Sequence, residues 1–226
     1  MTCFLPCRKG SERVPKKNIR PFGGYSHGLI ELKLMQLSQV KFINEIVLST
    51  NDDELIKFAK SIDLKNLCIH QRDEKLASSQ TSTDELINHV ADLIHEGHIL
   101  WTHVTSPFLT ANAYERIIQK YLEGLEQGYD SLMTTSLIRS FVWNSTGPLN
   151  YDKSIEKWPR TQTLEPLHEI NSAIFLGHID IYKFLQDRVG VRPILYPLNK
   201  IEGFDIDWSE DFLMAEYLLN AKIASI

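Results

Sequence analysis

FLPCRKGSERVPKKNIRP, residues 4–21, begins as an apolar strand and ends as a cationic turn. Six of the 24 basic residues of the chain stand here, Arg8, Lys9, Arg13, Lys16, Lys17 and Arg20, opposed only by Glu12, although the formal net charge is −5. Gly10 and Ser11 follow the apolar run directly. A strand that runs into a small-residue turn presents backbone N–H groups, and flanking Arg and Lys add full charges, which is one way to hold a polyphosphate. The same composition also suits a solvated basic loop or a patch for nucleic acid, so the remainder of the chain has to discriminate.

The totals narrow the field. A length of 226 residues suits one large domain, or one domain with an appendage, with a sizeable core, and 43% hydrophobic with 23% charged residues is the balance of a soluble globular protein. Arg8 interrupts the N-terminal apolar stretch too early for a signal peptide, and no segment has the length of a membrane span. Cys3, Cys7 and Cys68 form neither a disulfide framework nor a zinc pair. They are expected to pack structurally in a reducing compartment, with the cytoplasm as default. A mildly acidic chain whose basic cluster lacks interleaved aromatic residues is a poor nucleic-acid binder.

Working outward, strands are expected at Thr2–Cys7, Glu45–Ser49, Leu67–His70, Ile99–Val104, Ser131–Ser136, Ser172–Leu176 and Ile194–Tyr196. Helical spacing covers 29–40, 53–62, 86–94, 110–125, 179–186 and 210–219, with Ser82/Glu85 as a capping box and Ser209 as the cap of the last helix. Alternating strands and helices imply a layered α/β domain with parallel pairing. Its ligands then gather at loops that leave strand ends, here the basic loop, Ser49–Asp52 and Thr105–Pro107. From Arg139 to Leu167 the rhythm breaks, and nearly thirty residues without a period signal an insertion or an interaction segment.

Asp205 and Asp207 stand two apart, so an extended backbone turns both carboxylates to one side. Two hard oxygen ligands beside a polyphosphate suit Mg²⁺, which keeps waters and takes few protein ligands; taken alone, such a pair is more often made of turn residues or caps, here for the final helix. No GxGxxG follows a strand and no GxxxxGK[ST] occurs, which excludes the dinucleotide and P-loop readings.

Together these motifs resemble the acylneuraminate cytidylyltransferases, which make CMP-activated acid sugars. The family's opening signature, (I/L)-P-A-R-x-x-S-x-x-x-P-x-K-N, stands here as Leu5-Pro6-Cys7-Arg8, Ser11, Pro15, Lys17 and Asn18. Further matches run in order: Ser49-Thr50-Asn51, Arg72 with Leu76-Ala77-Ser78, and His103 through Leu109. Arg160-Thr161-Gln162 with Pro166, Asn171 and Ala173 follows, and then Asp205-Ile206-Asp207.

The resemblance implies a three-layer, nucleotidyltransferase-type α/β fold with a mixed, mostly parallel sheet. Residues 1–226 form one domain in it, with a dimerisation element at about 139–170 and a homodimer as the expected assembly. It implies transfer of CMP from CTP to a 2-keto-3-deoxy acid sugar, dependent on Mg²⁺ and releasing pyrophosphate. Arg8, Ser11 and Lys17 are then expected on the triphosphate, Asn18 on the nucleotide, Arg72, Ala77 and Ser78 near the cytosine, and Asp205 and Asp207 on the metal. His103, Thr105, Ser106 and Gln162 are expected at the acceptor, and Arg160 at the partner subunit's sugar site. The general base is left open between Asp207 and hydroxide on the metal.

Three positions depart from the family: Asn51 replaces Asp, His103 replaces Gln and Leu109 replaces Arg. Two of them fall in the segment expected beside the sugar, which points to an acceptor other than ordinary sialic acid, such as a legionaminic-, pseudaminic- or octulosonate-type acid. An unrelated CMP acceptor, and a non-catalytic nucleotide binder, are the competing readings.

Overall fold

Cys3, Leu5 and Cys7 face one side of the first strand and Phe4 the other, and the architecture extends that alternation on both faces. A computed structural model describes residues 1–226. Its strands are β1 (Thr2–Cys7), β2 (Glu45–Thr50), β3 (Leu67–Gln71), β4 (His98–Thr102), β5 (Ser131–Ile138), β6 (Trp143–Asn144), β7 (Gly147–Pro148), β8 (Leu167–His178) and β9 (Pro193–Leu198). The helices are α1 (Gly28–Ser38), α2 (Asp53–Ser61), α3 (Thr83–Leu93), α4 (Ala111–Glu126) and α5 (Ser209–Asn220).

Seven strands form one sheet in the order β3-β2-β1-β4-β8-β5-β9. β1 pairs in parallel with β2 and β4, β2 with β3, and β5 with β9, while β8 runs antiparallel between β4 and β5. The sheet is therefore mixed and mostly parallel. The larger core joins it to α1, α2, α4 and α5, and the smaller one packs Phe4, Trp101 and Phe175 against Ile87 and Val90 of α3. Helices on both faces make three layers.

Because β1 to β4 are parallel, the loops after Cys7, Thr50, Gln71 and Thr102 all emerge along one edge. β8 reaches the same edge, since Ile174 pairs with Thr102. The β5–β8 register jumps from Met133↔Phe175 to Thr135↔Ile170, so four β8 residues oppose Thr134 alone. Within that bulge Ser172 has φ +56°. Asn171 holds it closed, accepting from the Thr134 hydroxyl (2.7 Å) and donating to Ser136 Oγ (3.3 Å).

Several sequence expectations need correction. The span 139–167 is not wholly irregular, since β6 and β7 form a small hairpin inside it and its end opens the twelve-residue β8. The helix expected over 179–186 shortens to a wide helical turn, Ile181–Leu185, closed by Gln186 at φ +52°. Ser209 does not cap α5: the Asp211 carboxylate accepts the N–H groups of Asp207 (3.0 Å) and Trp208 (2.7 Å), while Ser209 Oγ donates to the Arg13 carbonyl (3.3 Å). Cys3 and Cys7 are buried, but Cys68 is exposed because β3 is an edge strand of the sheet. The Ser82/Glu85 capping box forms as expected, with Glu85 N–H donating to Ser82 Oγ (3.1 Å) and Ser82 N–H to the Glu85 carboxylate (2.7 Å).

Candidate active site

Along the shared edge lies a cleft of about 530 Å³ that is lined mainly by polar residues. Its walls bring together residues from both ends of the chain, Arg8, Ser11, Lys17 and Asn18 from the basic loop and Asp205 and Asp207 from the segment before α5. Arg72, His103 and Thr105 join them from the ends of β3 and β4.

The basic loop is shaped by its own hydrogen bonds. Lys17 N–H donates to the Val14 carbonyl (3.1 Å) and Arg20 N–H to that of Lys16 (2.8 Å), with Lys16 itself at φ +52°. Asn18 Nδ2 donates across the loop to the Arg8 carbonyl (3.2 Å). Asn51 anchors the loop from β2: its side-chain oxygen accepts from Lys9 N–H (2.8 Å) and its amide donates to Glu74 (2.9 Å). An aspartate there has no proton to give Glu74, so the departure at position 51 has a local physical reason.

Lys17 Nζ donates to the Ile206 carbonyl (2.7 Å) and lies 3.7 Å from Asp207 Oδ1, the same oxygen that accepts from Arg13 Nη2 (2.8 Å). Burial lowers the Lys17 pKa, against the pull of the two aspartates. Burial raises that of Asp205, and the neighbouring Asp207 adds to the rise, while Thr105 and Lys17 oppose it. Asp205 Oδ1 is buried with no hydrogen-bond partner. An orphaned carboxylate oxygen beside a second carboxylate is a donor set that fits a hard divalent cation completed by phosphates and water.

A buried amine supports this region from below. Lys33 of α1, fully enclosed, donates to the Ser106 carbonyl (2.8 Å) and the Tyr114 hydroxyl (2.9 Å), and Gln36 donates to the Pro107 carbonyl (2.8 Å). Ile206 N–H in turn reaches the Thr105 carbonyl (2.9 Å), so the aspartate segment rests on the loop that Lys33 holds. Burial pushes the Lys33 pKa down to about 7.

The cleft is also lined by Thr83, Leu86, Trp101, Ser172 and Arg188. Trp101 Nε1 donates to His103 Nε2 (3.0 Å), which leaves the imidazole proton on Nδ1. Burial and the nearby charges of Arg188, Lys17 and Lys33 keep that ring neutral. The Arg188 guanidinium lies 3.7 Å from the Phe175 ring centroid and 5.2 Å from that of Trp101.

Not every residue singled out from sequence reaches the cleft. Arg72 does, buried, with Nη2 donating to the Ser49 carbonyl (3.1 Å) and Nε unpartnered. Ala77 is buried but does not line the cavity, and Ser78 is exposed and bonded to Thr81 (3.0 Å). Ser106 contributes only its carbonyl, to Lys33. Arg160 and Gln162 are exposed on the 139–167 segment, outside the cleft of their own chain. Leu109 is in the core and brings no group to the site. Arg188, Ser172 and Lys33 escaped sequence reasoning altogether.

A parallel-sheet edge that sets a cationic loop against paired aspartates defines a nucleotidyl-transferring α/β enzyme. Residues 2–222 match the family described as Cytidylyltransferase, and the chain belongs to it. It is 28% identical over 229 residues to the pseudaminic acid cytidylyltransferase of Campylobacter jejuni subsp. jejuni serotype O:23/36, covering 96% of this chain and 94% of that protein. It is 24% identical to the N-acylneuraminate cytidylyltransferase of Streptococcus agalactiae serotype V over 93% of this chain and 51% of that one. Among solved structures, the fold is like that of a CMP:2-keto-3-deoxy-manno-octonic acid synthetase complexed with CTP, with TM-score 0.66, 14% identity and 98% of both chains covered. It is also like that of 4-diphosphocytidyl-2C-methyl-D-erythritol synthase from Anaerococcus prevotii, with TM-score 0.67, 14% identity, and 97% of this chain and 95% of that one covered.

Proposed function

We propose that this chain transfers CMP from CTP to the anomeric hydroxyl of a 2-keto-3-deoxy acid sugar of the nonulosonate kind and releases pyrophosphate. The observation that carries the reading is the meeting, in one cleft, of Arg8 and Lys17 with Asp205 and Asp207 from the far end of the sequence. Relatives named for pseudaminic and N-acylneuraminic acid support the acid-sugar half.

In this reading the acceptor oxygen attacks the α-phosphorus and forms the new P–O bond. The bond from the α-phosphorus to the oxygen bridging it to the β-phosphorus breaks, pyrophosphate leaves with the electron pair, and the hydroxyl proton passes to solvent. Negative charge grows on the α-phosphoryl oxygens and on the leaving group. Arg8 and Lys17 neutralise it, with Ser11 donating to a phosphate oxygen, and the cleft's main contribution is positioning. Asn18 and Arg72 hold the nucleotide. Mg²⁺, held by Asp205 and Asp207, supplies further charge neutralisation on the phosphates when bound. His103 and Thr105 face the acceptor.

No helix is long and apolar enough to cross a membrane. Together with three free cysteines, this supports a reaction carried out in the cytoplasm. Trp143, Trp158 and Ile155 are exposed on the 139–167 arm, where Phe141 and Tyr151 complete an aromatic cluster. Such a patch suits burial against a second copy, and we assign it to a homodimer.

The test is pyrophosphate release from CTP and Mg²⁺ across a panel of 2-keto-3-deoxy acid sugars, with products weighed by mass spectrometry. A CMP adduct of at least one acid is expected, and Lys17→Ala is expected to lower kcat by about 10²-fold or more. Tight CTP binding with no adduct from any acid would overturn the reading.

A further inference from the structure

Arg188 is a cation in the cleft that makes no salt bridge. It takes part in none of the ion pairs of the structure, and no side-chain hydrogen bond engages its guanidinium. Asp187, the nearest carboxylate in sequence, spends Oδ1 on the N–H groups of Arg188 (2.6 Å) and Val189 (3.1 Å). What Arg188 does have is an aromatic bed, the faces of Phe175 and Trp101. A guanidinium laid on ring faces is fixed in plane and partly desolvated, yet keeps its N–H edge free to meet a planar anion in bidentate fashion.

The loop that carries it is built to hold position. Gln186 in the left-handed region turns the chain back after Ile181–Leu185, and Gly190 N–H donates to Ser131 Oγ (2.8 Å). Asp130 accepts from Val191 N–H (2.7 Å) and Arg192 N–H (3.0 Å). A Cβ on Gly190 would collide with the Asp130 carboxylate, so the loop seats directly on the start of β5. A charge on such a mount does not wander to find a partner; the partner has to arrive.

Position in the cleft identifies which anion arrives. The phosphate-facing cations Arg8 and Lys17 leave β1 on the side of Asp205 and Asp207. Arg188 instead stacks on Trp101 of β4, whose indole N–H meets His103 just beyond that strand, and all three line the cleft. His103 lies within electrostatic range of both Arg188 and Lys17, so all three groups face one cleft. An acid sugar whose anomeric hydroxyl points at the phosphates carries its carboxylate on that same anomeric carbon. We propose that Arg188 binds the acceptor's carboxylate, so that this one side chain selects an acid over a neutral sugar and orients the attacking hydroxyl. The inference rests on the acid-sugar transfer proposed above.

The experiment compares wild type, Arg188→Gln and Arg188→Lys on the preferred acid sugar and on its carboxamide, with CTP titrated separately in each enzyme. Arg188→Gln is expected to raise the acceptor KM by about 10- to 100-fold, the worth of a charge-assisted hydrogen bond, with the CTP KM within about twofold of wild type. Arg188→Lys falls between them, because the charge stays but the fork is lost. The carboxamide is expected to be poor with wild type and no poorer with Arg188→Gln. Calorimetric CTP binding by the variants certifies that they are folded. If Arg188→Gln instead lowers kcat/KM for acid and carboxamide by the same factor, or leaves the acid's KM unchanged, Arg188 does not read the carboxylate, although the transfer reaction stands. If wild type makes no CMP adduct of any acid, both readings fall together.

Discussion

Arg13 donates to Asp207 at 2.8 Å across 194 residues of sequence, on the carboxylate oxygen that Lys17 approaches to 3.7 Å. Two cations of the basic loop thus neutralise a carboxylate that we propose as a metal ligand. Both side chains of the Arg13 pair are nearly half exposed, so the pair contributes little to stability. Its effect on the proposed metal site is competitive, because a divalent cation there would have to take Asp207 from Arg13. Arg13→Ala is therefore expected to change the unfolding free energy by less than about 1 kcal/mol. The Mg²⁺ concentration for half-maximal pyrophosphate release is expected to drop severalfold. A metal titration of the variant checks this; a rise in the required Mg²⁺ would place Arg13 on the phosphates instead.

Asn51 bridges the Lys9 N–H and the Glu74 carboxylate by using both ends of its amide. Asn51→Asp turns the second contact into a like-charge repulsion in a nearly buried site, expected to cost about 1–3 kcal/mol and to raise the CTP KM as the loop loses its anchor. Adding Glu74→Gln gives the aspartate a donor and is expected to restore both quantities. Urea unfolding and CTP titration of the two single variants and the double variant measure the coupling.

Lys33 makes stability depend on pH in a definite direction. Burial pushes it down to about 7 in the fold, whereas an unfolded lysine keeps its proton to about pH 10.4. Below the folded value both states are protonated and the contribution is constant and at its least favourable. Above it the native state binds fewer protons than the unfolded one, so stability rises by up to about 1.4 kcal/mol per pH unit toward the unfolded value. Lys33→Met removes that slope. Denaturant unfolding of both proteins between about pH 7 and pH 9 should show the wild type gaining on the variant; a difference independent of pH would mean that Lys33 is not the titrating group.

Much of this was legible in the sequence because it depends on local periodicity. Alternation in Thr2–Cys7 and the helical spacing of 110–125 announce parallel units, and parallel units place their loops on one edge. Arg8, Lys17, Asp205 and Asp207 could be found because each sits on a loop whose exit is set by the element before it. Arg188 could not, since the spacing of 179–186 reads as helix and its aromatic bed comes from β4 and β8. Lys33 lies on a helix face that is otherwise apolar, and its partners are 73 and 81 residues away. Ser172 enters the cleft only through a bulge that depends on Asn171 finding Thr134 across the sheet. Long-range pairing of single polar groups leaves no period to detect.

Arg160 is exposed and, like Gln162 of the same sequence motif, lies outside its own chain's cleft. A homodimer built on the Trp143–Trp158 patch reconciles these facts if Arg160 serves the partner subunit's acceptor site. Arg160→Ala and Lys17→Ala then damage different cleft halves, one supplied in trans and the other in cis. Each homodimer is expected to be nearly inactive. In a mixed dimer one cleft carries both lesions and the other carries none. Co-refolding equal amounts is therefore expected to recover about a quarter of wild-type activity, since half the dimers are mixed and each has one intact site. Steady-state assay of the mixture, alongside Trp158→Ala to shift the assembly toward monomer in analytical ultracentrifugation, reads the outcome. Recovery no greater than the mean of the two variants would confine Arg160 to its own subunit.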